Sequence, residues 1–150
     1  MKTIINAVCI VLLFLSVSAK SETVSDGFIN KYILGNHDFT LQWLDNFNTG
    51  NHGRITFTRV DGHIVANGYE EEVIGEDLNF MEFNGRVIVV SPHELHITGD
   101  LITSISYING GNGFRRSGTF IFKAHGKRQY WRLQNMREHE VMDYVDIHFK

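Results

Sequence analysis

Histidines and carboxylates carry most of the chemical potential of this chain, which holds eight histidines. In His93-Glu94-Leu95-His96 two imidazoles flank a glutamate. A helical zinc-protease site needs His-Glu-x-x-His, which puts both imidazoles on one helix face. Here the spacing is one residue shorter and follows Pro92, at the entry to a strand-like segment, where the two rings point to opposite faces. Two acid–histidine pairs do share a face of a strand: Glu94 with His96, and Asp146 with His148. If they met across a closed sheet they could hold Zn²⁺ through imidazole and carboxylate. Singly, Asp146, His148, Glu82 and His96 are the candidates for proton transfer. No Gly-x-Ser-x-Gly elbow occurs. The acidic run Glu70-Glu71-Glu72, with Glu76 and Asp77, lacks the spacing of a dedicated calcium loop and reads as a solvated strand end. The glycines of Asn109–Gly113 are not followed by a Lys-Ser/Thr helix, so they read as a turn and not as a phosphate cradle. No metal or organic cofactor is expected.

The C-terminal stretch Arg128–Phe149 has the most distinctive pattern. Gln129, Trp131, Leu133 and Asn135 alternate with Tyr130, Arg132, Gln134 and Met136; Val145, Ile147 and Phe149 alternate with Tyr144, Asp146 and His148. Each segment has one largely apolar face and one polar face bearing tyrosine. If the two strands pair, Arg132 meets Asp146 as a cross-strand ion pair. The apolar face then fills a core. In a small barrel either face can turn inward, and a ligand site needs apolar walls with a few placed polar groups. On that reading the candidate ligand-binding residues are Trp43, Phe57, Phe80, Phe122 and Trp131, with Tyr130, Arg132 and Tyr144 supplying polar contacts.

The elements that must position these residues are strands. One proline and 14 glycines punctuate segments that alternate with period two. Candidate strands are 38–44, 54–60, 63–72, 78–83, 86–91, 94–108 (with a bulge or bend at Gly99-Asp100), 114–125, 128–136 and 143–149. Asp61-Gly62 and Asn84-Gly85 both read as two-residue hairpin turns. The one helix candidate is Ser25–Leu34, a cap for one end. No β–α alternation occurs. The expected architecture is therefore all-β: an antiparallel up-and-down barrel of about eight strands, lipocalin-like in outline, with a β-sandwich as the alternative.

Residues 1–19 read as a signal peptide. Lys2 is followed by the apolar run Ala7–Val17 and then Val17-Ser18-Ala19, whose small residues suit cleavage after Ala19. The run is too short to span hydrocarbon. Residues 20–150 form one domain, large enough to bury a core without staples. The one cysteine, Cys9, lies in the leader, so the mature domain has neither disulfide nor thiol nucleophile. A net charge of −3 with no basic stripe argues against nucleic acid. Export to a bacterial periplasm or beyond is expected, with no transmembrane segment after cleavage.

The segments Phe39–Trp43, Ser117–Phe122, Tyr130–Met136 and Asp143–Phe149, in this order, resemble a family of small secreted bacterial β-proteins with no assigned function. The resemblance spans most of Tyr32–Phe149 and implies a fold and an exported address; it supplies no catalytic residues. That family carries a tryptophan where this chain has His37, and cysteines near Phe114 and Glu138. It thus implies that this chain lacks a bridge between its last loops and holds them by packing. A fainter likeness is to the lipocalins, which open on Gly-x-Trp with an arginine over the indole. Gly35-Asn36-His37 stands in the right place with the wrong third residue, and Met142-Asp143-Tyr144 follows Arg132 where the lipocalin order has it precede.

The leading expectation is an exported, non-enzymatic barrel binding a small apolar or amphipathic ligand in its interior. The rival readings are a solid-core secreted interaction protein and a small barrel enzyme of isomerase or hydrolase type.

Overall fold

The computed structural model describes residues 23–44, 50–138 and 141–150. The expected leader lies outside them. The chain folds as β1 (Gly35–Leu41), β2 (Gly53–Val60), β3 (His63–Ile74), β4 (Asp77–Ser91), β5 (Glu94–Ser104), β6 (Phe114–Lys123), β7 (Tyr130–Leu133), β8 (Arg137–Glu138), β9 (Val141–Met142) and β10 (Val145–His148). Eight of these close an antiparallel barrel in the order β1-β10-β7-β6-β5-β4-β3-β2, while β8 and β9 make a separate ribbon. Each barrel strand pairs with its neighbour in the meander, and β10 closes on β1 through Phe39–Ile147, Thr40–Asp146 and Leu41–Val145. The all-β barrel is thus as the alternation predicts, and the sandwich is not formed.

Period-two alternation sorts the side chains. Phe39, Phe57, Phe83, Phe122, Trp131, Leu133, Val145 and Ile147 turn inward and are buried. Phe83 is the hub of the interior. Its ring stacks near Phe39 at 6.3 Å and meets Phe120 edge-on at 5.1 Å and Phe122 at 5.8 Å. Inward side chains of an eight-stranded barrel are just numerous enough to fill it, and here they touch.

The Asp61-Gly62 turn forms as expected, with positive φ at both residues. Asn84-Gly85 does not form a turn. β4 runs straight through it, with Gly85 opposite Ala66 on one side and Gly99 on the other. The hairpin between β3 and β4 turns instead at Gly75-Glu76. Gly99 opposes Gly85 and Gly118, so three glycines align across β4, β5 and β6. A Cβ on Gly99 would stand 1.9 Å from the Asn84 carbonyl oxygen. The glycines mark close backbone approach inside a continuous sheet, and the register passes Gly99-Asp100 without the expected bulge. The one shift between β4 and β5 lies between Val89 and Ser91.

One end of the barrel is covered by α1 (Asp26–Phe28), capped by the Ser25 hydroxyl and continuing as a π-helical turn over Ile29–Ile33. Phe28, Ile29 and Leu34 pack on the core, and Ile33 is buried in it. His37 clasps this cap. Its buried ring lies 2.8 Å from the Ile33 carbonyl through Nε2 and 2.8 Å from the His148 carbonyl through Nδ1. Both partners are carbonyl oxygens, which accept from a ring N–H. At the other end the Asn135 side chain extends the sheet past β7. Its Oδ1 accepts from Ile121 N and its Nδ2 donates to Thr119 O, while Arg116 donates to its carbonyl. Polar lacing of this kind joins the segment after β7 to β6.

Candidate functional site

Two concave regions involve the residues singled out from sequence. The first lies on the outer wall over β1, β10 and β7. Thr40, Asp146 and Arg132 are successive partners across these strands, and the row continues through Lys123 to Glu94. Arg132 grips Asp146 with two parallel bonds, Nε to Oδ1 at 2.7 Å and Nη2 to Oδ2 at 2.6 Å. This hydrogen bonding raises the guanidinium above its ordinary value. The guanidinium also lies 5.1 Å from the Tyr130 ring and 4.7 Å from the Tyr144 ring. Gln42 ties this wall together, donating to Met142 O and accepting from Tyr144 N. A groove of about 260 Å³ runs between Thr40, Gln42, Leu44, Arg132 and Tyr144.

His148 stands at the edge of this cluster, with Thr40 Oγ1 3.0 Å from its Nε2 and the Tyr130 ring 5.6 Å away. Burial holds the imidazole below its ordinary value, against the pull of Asp146. A hydroxyl beside a neutral imidazole is two-thirds of a nucleophilic triad. Here the third member is engaged elsewhere, because both oxygens of Asp146 accept from Arg132. Thr40 is itself buried.

The second acid–histidine pair lies on the same row but three strands away. Glu94 accepts from His96 Nε2 at 2.7 Å and pairs with Lys123 at 3.2 Å. The His96 bond, with help from Lys123, holds the Glu94 carboxyl below its ordinary value. The two pairs thus share an outer-wall ladder without meeting, separated by Arg132 and Lys123. His93 sits in the turn after Pro92. Among the described residues no three histidine, cysteine or carboxylate side chains gather as metal ligands. Glu82 lies outward and accepts from Asn84. Strand alternation splits the acidic run: Glu70 turns inward and is buried, Glu71 turns outward and is exposed, and Glu72, of the same parity as Glu70, is partly buried near the strand's end. The Leu41 amide donates to Glu70 Oε2 at 2.7 Å, and Oε1 finds no well-formed partner. Burial pushes this carboxyl up to about 7.

The second concave region is a groove of about 240 Å³ at the helix-capped end, where Phe28, Tyr32, Pro92, Trp131 and Phe149 give apolar walls and Gln129, His93 and Lys150 polar edges. Trp131 forms its base. The indole Nε1 donates to the Pro92 carbonyl at 3.1 Å, and its ring lies 4.3 Å from Phe149 and 5.9 Å from His37. Lys150 Nζ donates to the Leu34 carbonyl, closing the groove against the cap.

The candidate ligand residues therefore scatter. Phe57 and Phe122 are core. Phe80 stands on the outer face, stacked on Tyr69 at 6.2 Å, and so does not wall the interior. Tyr130, Arg132 and Tyr144 lie on the outer wall, because the apolar sets of β7 and β10 take the inward positions. Trp43 sits at the uncapped end, donating to Asp143 Oδ1 at 3.0 Å. Trp131 alone of the eight lines the capped groove. Sequence reasoning missed Phe28, Tyr32 and Phe149 as its walls. Apolar residues at the two ends of the domain were the available signal.

A family model covers residues 19–149. The chain belongs to the PM1083 family. A relative from Pasteurella multocida (strain Pm70), named "Uncharacterized protein PM1083", is 33% identical over 156 residues, covering 99% of this chain and 96% of the relative. No solved structure matches. The expected likeness to an uncharacterised family is thus met at family level, and the family model extends over the entire barrel.

Proposed function

We propose that this PM1083-family barrel is an exported, non-enzymatic protein that binds a small apolar or amphipathic molecule in the groove at its helix-capped end. The observation that carries the reading is the groove's make-up: aromatic walls from Phe28, Tyr32, Trp131 and Phe149 with three polar groups at its edge. The proposed site replaces the barrel interior of the sequence reading, since the interior aromatic rings pack on one another. Its volume suits a single ring or a short chain. The non-enzymatic reading is supported by the Arg132–Asp146 grip, which takes the orienting carboxylate from His148. Export is supported by the Lys2–Ala19 leader pattern and by a family match that begins at residue 19.

The test is native mass spectrometry of residues 20–150, wild type and Tyr32→Ala. Tyr32 is half-exposed on the groove wall, so its truncation should leave the barrel intact. A bound mass carried by the wild type and lost from the variant is the expected result. A mass retained equally by both places the ligand elsewhere, and bare polypeptide in both cases removes the reading.

A further inference from the structure

At the end opposite the cap, β3 and β4 outrun their neighbours. Pairing of β2 with β3 ends at Arg54–Tyr69 and pairing of β4 with β5 ends at Phe80–Ser104, whereas β3 and β4 stay paired to Ile74–Asp77. The excess is a two-stranded tongue standing beyond the rim. Its outward face carries four large apolar or aromatic residues, with Glu71 set between Tyr69 and Val73, opposite Phe80, and accepting from the Tyr69 hydroxyl. Tyr69 and Phe80 stack at its base, and Val73 opposes Leu78 nearer the tip. Val73 is 67% exposed and Leu78 50%. The tongue is fastened beneath: buried Asn79 accepts from the Ser106 amide at 2.6 Å, so the β5–β6 loop braces it.

Its charge is of one sign. No lysine or arginine occurs from Asp61 to Gly85; Glu71 lies within the strip, Glu76 and Asp77 stand at its tip, and Glu72 is on the tongue's other face, opposite Asn79. Arg54 lies at the base, opposite Tyr69. Charges alone blunt a projecting strand edge, but a strip of large exposed apolar residues works against that protection. The strip and the charge together choose among possible occupants. A second copy laid tongue to tongue would set like charges face to face, and an anionic lipid surface would be repelled.

We propose that this tongue docks a polypeptide partner whose contact surface is apolar at its centre and basic at its rim. The apolar strip supplies the buried contact, and the carboxylates set orientation and encounter rate.

The test uses fluorescence anisotropy with a labelled synthetic amphipathic helix of lysine and leucine, beside a glutamate–leucine helix of the same pattern. The full barrel should bind the basic helix, more weakly as salt is raised, and ignore the acidic one. Val73→Ser/Leu78→Ser should weaken binding about tenfold. Glu76→Lys, at the exposed turn, should weaken it about threefold without touching the strip. Unchanged far-ultraviolet dichroism in both variants confirms the fold. Equal binding by wild type and variants overturns the proposal, as does absence of binding to the basic helix. Two further outcomes also overturn it: a wild-type dimer in sedimentation velocity that the double variant loses, or capture by phosphatidylglycerol vesicles that the double substitution abolishes. None of these outcomes bears on the groove at the opposite end.

Discussion

Arg132 and Asp146 face each other across β7 and β10 as a two-bonded fork, and the rings of Tyr130 and Tyr144 lie close to the guanidinium. The pair closes the polar side of the seam whose apolar side is Trp131 and Ile147. Asp146 is buried although it lies on the outer wall, so a lone charge left there is poorly solvated. Arg132→Ala and Asp146→Ala should each cost about 2–3 kcal/mol. Urea unfolding of the two single variants and the double variant gives the coupling directly. A coupling near zero would mean the fork is ornamental and that Tyr130 and Tyr144 hold the wall.

Trp131→Ala should cost about 3–5 kcal/mol, because the indole is buried and bonded to the Pro92 carbonyl. Trp131→Phe keeps the packing against Phe149 but loses the bond, and should cost about 1–2 kcal/mol. Thermal unfolding of both variants measures the difference. A small loss in the alanine variant would show that the groove collapses onto the space.

Glu70 gives a pH dependence of definite sign. Its folded value is about 7 against an ordinary 4.5. The folded carboxyl keeps its proton to higher pH than the unfolded one. Its contribution is therefore full below 4.5 and is lost as pH rises through 7, by about 3 kcal/mol. Glu70→Gln should remove this slope and be more stable than wild type at about pH 8. Comparing urea midpoints of the two proteins between about pH 5 and pH 8 isolates Glu70 from the histidines, which both share. Parallel pH curves for the two proteins would show that the carboxyl is ionised without penalty.

Gly99 tests the glycine alignment. Its Cβ would strike the Asn84 carbonyl and the Gly85 Cα, both backbone atoms that cannot rotate away. Gly99→Ala should cost about 3 kcal/mol or more. Gly75→Ala, in the β3–β4 turn with open space around it and φ of +65°, should cost about 1–2 kcal/mol from conformation alone. Equal losses at the two sites would mean that β4 and β5 separate easily at the seam.

Much of the barrel was legible because strand alternation is a local property. The inward set of β7 and β10 follows from which residues are apolar, and the Arg132–Asp146 pair follows once those strands are neighbours. Asn84-Gly85 misled for the same local reason: the dipeptide suits a tight turn, and nothing nearby in sequence reveals Gly99 and Gly118 across the sheet. Phe80 was misplaced because aromatic bulk says nothing about face. Its neighbours Asn79 and Met81 take the inward positions, and the Ser106 amide rewards Asn79 for doing so.

The amino-acid sequence by itself determined the strand-rich meander, most of the interior side chains, the absence of cysteine after Cys9 and the family. These depend on period-two patterning and composition, which need no knowledge of distant contacts. Tertiary structure alone decided that both oxygens of Asp146 are taken by Arg132, that Glu70 is buried, and that Tyr32, Trp131 and Phe149 share one groove. It also decided that β3 and β4 stand proud of the rim. They depend on which strands become neighbours, on closure of β10 onto β1 and on the unequal lengths of neighbouring strands, which bring together residues more than a hundred positions apart.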